Sequence, residues 1–152
     1  MKKNLEGHGF VEQALQLARL YNLCCRWASG KNINIVNILI LIEIYANKSG
    51  CEASQIADHL YLPRQTMTYA IDSLEKDGYI IRQSHPTDRR RKNIVLTELG
   101  TKFITDIMTE IEEEFCNFTS SFMPDRKHFD ELFNNFISHL EEKLDNKLIK
   151  HD

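Results

Sequence analysis

A run of cations is the part of this sequence best suited to bind a polyanion. Between Arg82 and Lys92, five lysine or arginine residues accompany a single acid, Asp88, so this segment has a local charge of +4. The stretch from Thr105 to Asp145 has eleven acids and three bases and carries −8, although the formal charge of the whole chain is only −3. Positive charge concentrated in one loop, with the acids elsewhere, predicts one surface that faces a nucleic acid.

A second group of polar residues lies shortly before this loop and could read base pairs. Arginine can bridge the two acceptors of a guanine, glutamine can pair with adenine, and threonine can contact phosphate or the thymine methyl group. The candidates for these contacts are Pro63, Arg64, Gln65, Thr66, Thr68 and Tyr69. The interleaved residues Met67, Ala70, Ile71 and Leu74 keep helical spacing, which predicts an inward face that holds this helix on its scaffold.

The surrounding pattern predicts a helix-turn-helix followed by a β wing. Residues 53–60 keep the spacing of a short helix, and Pro63 suits the first position of the next helix, which stops at Asp77-Gly78. Strands are predicted at 79–83 and 94–97, with the basic loop between them. This order is typical of a winged helix-turn-helix, in which the second helix enters a DNA major groove and the wing lies beside it.

Two helices are predicted before this unit. Residues 8–28 form the first, with Gly30 as its C-terminal cap. Residues 33–46 are rich in β-branched side chains, which favours a strand, but their length favours a helix, and we predict a helix.

Two further helices are predicted after the wing. Thr97 is a good N-cap for a long helix that extends to Phe118, and Pro124-Asp125 opens the last helix. The first helix is apolar on more than one side, which indicates two partners, either a core and a loop or a core and another subunit, and the last two helices also carry extended apolar faces. The predicted fold class is mainly α, a winged helix-turn-helix with a small antiparallel β wing and flanking helices.

Two motifs within residues 54–100 are similar to those of one protein family. Pro86-Thr87-Asp88-Arg89-Arg90, then Ile94-Val95-Leu96-Thr97 and Gly100, resemble the P-x-D-R-R, V-x-L-T and trailing glycine pattern of the MarR family of bacterial transcription regulators. Leu74-Glu75-Lys76-Asp77-Gly78-Tyr79-Ile80 resembles the end of that family's recognition helix. The sequence departs from the family pattern at Tyr69, where many members have a basic residue, and at Pro63, where a small polar N-cap residue is common.

The resemblance implies a function and a set of DNA-contacting residues. We expect a sequence-specific transcriptional regulator, a homodimeric repressor that binds double-stranded DNA at an inverted repeat. Asp88 would brace Arg90, which would enter the minor groove. The wing residues expected at the DNA are Arg82, His85, Asp88, Arg89, Arg90, Arg91 and Lys92.

The resemblance also implies a domain organisation. The chain would be one domain, 1–152, in which residues 33–100 form the winged helix-turn-helix. Residues 8–28 and 101–148 would be dimerisation helices that interlock with those of a second copy.

Aromatic residues offer a candidate effector site. Four of them could line a cavity for a small-molecule effector between the dimer helices and the winged domain, although such residues are more often plain core. They are Tyr21, Trp27, Tyr45 and Phe103.

Cysteine and histidine offer weaker chemistry. Cys24 and Cys25 could sense oxidants, as a cysteine in this region does in some relatives, but their helical setting favours buried, inert thiols. None of the six histidines pairs with another at metal-ligand spacing, so neither a metal nor another cofactor is expected.

Composition and missing motifs exclude several other classes. The chain has 152 residues, 42% of them hydrophobic and 27% charged, which is typical of one globular domain rather than a disordered chain. No apolar run approaches a membrane span, no signal peptide is visible, and four irregularly spaced cysteines indicate a reducing, cytoplasmic location. No catalytic motif argues for an enzyme. The remaining alternative is a winged-helix module that binds a protein or a small molecule instead of DNA.

Overall fold

The computed structural model describes residues 9–84, 91–122 and 126–148. Its elements in chain order are α1 (Gly9–Gly30), α2 (Ile35–Ala46), α3 (Ala53–His59), α4 (Arg64–Lys76), β1 (Ile80–Ser84), β2 (Lys92–Leu96), α5 (Glu98–Phe122) and α6 (Arg126–Leu148). This order confirms the predicted fold class, mainly α with a small antiparallel wing. The chain divides into two compact units between Asp106 and Ile107. Within the described ranges, no helix is both long and apolar enough to cross a bilayer.

The core of the first unit is built around α2, which contacts α1, α3, α4 and β2. Four of its apolar residues, Ile38, Ile40, Leu41 and Ile44, are buried and lie on more than one side of the helix, which explains why the sequence shows no clear polar face. Asn34 starts the helix, because its side-chain oxygen accepts a hydrogen bond from the backbone N–H of Val36 at 2.8 Å. The predicted helix over 33–46 is therefore correct in type but begins two residues later. The buried residues contributed by the other elements are Ala28, Ile56, Ala57, Met67, Ala70, Ile71, Leu74, Ile80, Ile94 and Ile104.

A tight turn joins α3 to α4. Tyr61 has a left-handed backbone with φ of 51°, and the N–H of Leu62 donates to the carbonyl of Ala57 at 2.8 Å. Pro63 is the N-cap of α4 and not its first helical residue, so the predicted position is wrong by one. Its φ of −56° suits a helix, but its ψ of 139° is extended, and its carbonyl accepts the first helical bond, from Met67.

The wing comprises residues 80–96, and the structure describes 80–84 and 91–96, which include both strands. The strands pair antiparallel, from Ile80 opposite Leu96 to Ser84 opposite Lys92, and differ from their predicted bounds by one or two residues. Cys51, just before α3, forms a further bridge to Ile94, with backbone hydrogen bonds of 3.2 and 2.8 Å. A single bridging residue has no sequence signature, so this contact was not predicted. It ties the wing to the start of the helix-turn-helix.

Three predicted helix ends need correction or fall outside the described residues. Gly30 is the last helical residue of α1, and the left-handed residue after the helix is Asn32, with φ of 57°. Asparagine tolerates this conformation because its short polar side chain can satisfy the local backbone. Helix α5 continues to Phe122 and does not end at Phe118. The predicted start of the last helix at Pro124-Asp125 lies outside the described residues.

Large apolar side chains are exposed on two helices of the single chain. On α1 they are Val11, Leu15, Leu17, Leu20, Tyr21 and Leu23, and on α6 they are Phe129, Leu132, Phe133, Ile137 and Leu140. The rings of Phe129 and Phe133 stack at 6.0 Å between centroids, so part of the α6 surface is an ordered aromatic pair. Exposed apolar surface of this kind usually marks a site of association.

A compact hydrogen-bonded junction joins the wing to α5. The hydroxyl of Thr97 donates to the carbonyl of Gly78 at 2.7 Å and accepts from the N–H of Gly100 at 3.0 Å, so Thr97 is the predicted N-cap. The N–H of Thr97 donates to the carbonyl of Tyr79 at 3.0 Å. A Cβ added to Gly100 would lie 1.9 Å from that same carbonyl oxygen. Only glycine fits at position 100, which gives a physical reason for the glycine three residues after the threonine.

We expect Gly100→Ala to destabilise the protein by about 1–3 kcal/mol, because its methyl group must displace backbone and not a flexible side chain. Urea unfolding followed by circular dichroism measures the change. Gly30→Ala is the matched control, since nothing lies within 4 Å of the added Cβ at this last helical position. The control should be neutral or slightly stabilising. Equal stability of the Gly100→Ala variant and the wild type would contradict the close approach.

Candidate nucleic-acid interface

Helix α4 has one buried face and one exposed face. Met67, Ala70, Ile71 and Leu74 are buried, as predicted from their spacing. The six residues chosen as base readers all lie on the exposed side or at the N-cap, and Tyr69 is 67% exposed. They are Pro63, Arg64, Gln65, Thr66, Thr68 and Tyr69. Burial of one side therefore presents the other side, with arginine, glutamine and threonine in its first two turns, to a ligand.

Arg64 is held in place by α3. Its guanidinium lies 2.6 Å from the carboxylate of Asp58 and donates to the carbonyl of Ser54 at 2.7 Å. More than half of the Arg64 side chain is still exposed, and a guanidinium has five N–H donors. The arginine is thus oriented at the start of α4 with donors left for another partner. Ser54 and Asp58 lie in α3, whereas Arg64 lies in α4. Helical spacing within one element therefore could not reveal these contacts from the sequence.

Arg82, one of the wing cations expected at the DNA, is engaged by α4. Its guanidinium forms ion pairs with Asp72 and Glu75, and its backbone N–H donates to Glu75 Oε1 at 3.1 Å. Hydrogen bonding to Asp72, opposed by partial burial and reinforced by the charge of Glu75, raises the pKa of Arg82 above its ordinary value. A direct contact of Arg82 with DNA stays a prediction; its charge and place in the sequence do not show which acids lie beside it.

The two cations at the start of β2 are also placed by neighbours. Arg91 forms an ion pair with Glu52, the N-cap residue of α3, and Lys92 Nζ donates to the hydroxyl of Ser84 across the sheet at 3.2 Å. The remaining predicted wing residues, His85, Asp88, Arg89 and Arg90, lie outside the described residues. The brace between Asp88 and Arg90 therefore stays a prediction.

The four aromatic residues proposed to line an effector cavity have different described neighbours, and the cavity itself stays a prediction. Tyr21 lines an open pocket of about 500 Å³ at the junction of α1 and α2, and Tyr45 lines a separate pocket of about 280 Å³ beside β2. The ammonium group of Lys31 lies over the ring of Trp27, with Nζ 5.0 Å from the ring centroid. Phe103 packs on Tyr79 with 4.7 Å between ring centroids. Sequence spacing indicated which side chains are large, not which element each one packs against.

The cysteines occupy different environments. Cys24 and Cys25 are half-buried, so they are more exposed than the expectation of buried thiols, while their inertness toward oxidants stays a prediction. Cys51 is buried, and burial, reinforced by the charge of Glu43, raises the pKa of its thiol to about 11. Within the described part of the chain, no group of three or more histidine, cysteine or acidic residues is placed to hold a metal ion.

We expect Cys51 to resist alkylation in the native protein at pH 8. A pKa raised from 9.0 to about 11 lowers the thiolate fraction roughly 100-fold relative to an ordinary thiol, and the thiolate is the reactive form. Iodoacetamide labelling followed by peptide mass spectrometry measures the rate at each cysteine. In urea, Cys51 should react as fast as Cys116, which is exposed in the native fold. Rapid native labelling of Cys51 would contradict its burial.

Proteins of known family are similar in sequence to part of this chain. The family model described as "MarR family" matches residues 33–92. The HTH-type transcriptional regulator MhqR of Bacillus subtilis is 33% identical over 70 residues, which are 46% of this chain and 48% of that protein. The chain spans about half the length of several curated relatives that it matches.

Solved structures resemble the chain over most of its length. A MarR transcriptional regulator from Methanosarcina mazei Go1 is 26% identical with a TM-score of 0.68, covering 90% of this chain and 98% of that one. The MepR–DNA complex of S. aureus is 20% identical with a TM-score of 0.70, covering 88% and 97%. These similarities extend beyond the winged helix-turn-helix to the flanking helices.

Proposed function

We propose that this chain is a member of the MarR family and a sequence-specific transcriptional regulator that binds double-stranded DNA as a homodimer. The observation that carries the proposal is the two-sided character of α4. Its inner face is buried, while Arg64, Gln65, Thr66 and Thr68 form an exposed polar surface at its N-terminal end. The first residues of a recognition helix are those that contact base edges in helix-turn-helix proteins.

The wing supports the same mode of binding. Pairing of β1 with β2 and the Cys51–Ile94 bridge fix the two strands between which the basic loop lies in the sequence. The loop itself carries Arg89 and Arg90, and arginine is favoured in the narrow minor groove of A·T-rich DNA. Helix α4 in the major groove and the loop in the adjacent minor groove would then contact one duplex together.

The relatives support regulation as the outcome of DNA binding. MhqR carries the name of a transcriptional regulator, and the MepR structure contains DNA. A protein that occupies a promoter blocks polymerase, so repression is the simplest mechanism. Its target is chromosomal, which implies a cytoplasmic location.

Homodimer formation would cover the exposed apolar side chains of α1 and α6. Leu15, Leu20 and Leu23 of α1 and Leu132 of α6 are each more than half exposed in one chain. A two-fold dimer predicts an inverted-repeat operator with half-sites about 34–36 Å apart. An effector that changed the separation of the two α4 helices would alter the match to that spacing.

The decisive experiment is selection of duplexes from a random library by the wild-type protein, followed by fluorescence anisotropy on the selected site. We expect an inverted repeat, and affinity that falls steeply with salt as cations displace counterions from phosphate. Arg90→Ala should weaken binding at least about tenfold, equivalent to about 1.4 kcal/mol, while sedimentation still shows a dimer. Lys127→Ala removes the same charge from α6, outside the winged helix, and should bind like the wild type. Failure of the wild type to select any sequence, even at low salt, would reject DNA recognition.

Arg64→Ala should relax the base preference at one position in each half-site by about 1–3 kcal/mol, because a bidentate contact to guanine is lost. Selection with the variant measures this preference position by position. Lys76→Ala, at the other end of α4, is the control and should leave the selected sequence unchanged. An unchanged preference in the Arg64→Ala variant would remove Arg64 from base readout.

A further inference from the structure

We propose that Arg82 is a positioning residue, which binds Asp72 and Glu75 of α4 and thereby fixes the wing relative to the recognition helix without contacting DNA itself. The inference rests on the proposed function, in which α4 and the wing bind one duplex together. It reassigns a residue that its charge alone would place among the DNA contacts.

The contact between the wing and α4 has a defined geometry. One terminal nitrogen of Arg82 binds Glu75 Oε2 and the other binds Asp72 Oδ1, so the guanidinium forks across two carboxylates. Glu75 Oε1 also accepts the backbone N–H of Arg82 at 3.1 Å. A forked, charge-assisted contact that includes the backbone restricts both the direction and the distance of the strand.

The position of Arg82 in β1 makes it suitable for this task. The chain between α4 and β1 is short and includes Gly78, with φ of 79°, and Ile80 then begins the strand as a buried residue. Alternation along a strand places Arg82 on the same side as Ile80, two residues nearer the basic loop. Ile80 therefore holds the inner end of β1 by apolar packing, and Arg82 holds a point further out. A two-stranded hairpin alone is marginally stable, so a second point of attachment matters.

Charge provides an independent argument. Asp72 and Glu75 are the only acids in the sequence of α4, the helix proposed to enter a groove lined by phosphates. Acids near phosphate weaken binding unless they are neutralised, and here both are paired with Arg82. Simple electrostatics therefore predicts that removal of these acids strengthens DNA binding, whereas a positioning role predicts that their removal weakens specific binding. The two explanations thus predict opposite changes in affinity for the specific duplex.

The test compares Asp72→Asn/Glu75→Gln and Arg82→Ala with the wild type by fluorescence anisotropy. The probes are the duplex selected by the wild type and an unrelated duplex of mixed sequence. We expect both variants to lose about tenfold in affinity for the selected duplex, a loss of about 1.4 kcal/mol. Affinity of Asp72→Asn/Glu75→Gln for the unrelated duplex should be unchanged or higher, which a partly unfolded protein would not show, whereas Arg82→Ala leaves both acids unpaired and should bind that duplex no more tightly than the wild type. The salt dependence of Arg82→Ala should match that of the wild type, whereas loss of a phosphate contact would lower the slope by about 1.

Two further measurements make the outcome unambiguous. Asp77→Asn is the matched control, because Asp77 is an acid at the same end of α4 that accepts a bond from Ser73 and does not pair with Arg82; it should retain specific affinity. In DNA-free protein, hydrogen exchange of the β1 amides should be faster in both variants than in the wild type. Equal or tighter specific binding by the double variant, a reduced salt slope for Arg82→Ala, or unchanged exchange would each overturn the proposal. If the wild type selected no duplex, the proposed function would fail, while the exchange measurement would still report whether Arg82 holds the wing.

Discussion

Burial of one face of α4 is the interaction on which the rest of the candidate site depends. Met67, Ile71 and Leu74 are almost completely removed from solvent, and each such side chain contributes about 1.5–3 kcal/mol to stability. The ion pair between Arg64 and Asp58 is exposed on both sides, and pairs of that kind contribute about 1 kcal/mol or less. Apolar packing therefore determines where the helix lies. The polar contacts orient individual side chains on a helix that is already in place.

Three cations of the interface are paired with acids of the same folded unit. Arg64 pairs with Asp58, Arg82 with two acids of α4, and Arg91 with Glu52. These pairs restrain long side chains that would otherwise lose conformational freedom on binding, which reduces the entropic cost of association. They also lower the net positive charge of the described surface, so the loop between β1 and β2 becomes the main candidate for phosphate attraction. Arg82 is thereby assigned to the organisation of the interface, whereas Arg64 keeps exposed donors for the nucleic acid.

The wing is attached to its scaffold at several points of different character. The Cys51–Ile94 bridge uses backbone hydrogen bonds, Ile80 uses apolar burial, and the junction of Thr97 with Gly100 uses a cap that leaves no room for a side chain. Burial of Cys51, reinforced by the charge of Glu43, also raises the pKa of its thiol. A cysteine in this position serves the packing of the wing, in contrast to the half-buried pair on α1.

The sequence by itself determined the order and type of the elements, the inward face of α4 and the location of the basic loop. These features follow from local rules: apolar residues at helical spacing bury one side, Gly78 stops a helix, and Thr97 starts one. The tertiary structure alone decided which acids bind Arg64 and Arg82, that Cys51 pairs with β2, and that four large aromatic residues occupy separate environments. Such contacts join residues from different elements, and their partners depend on how those elements pack in space, which no periodicity along the chain records.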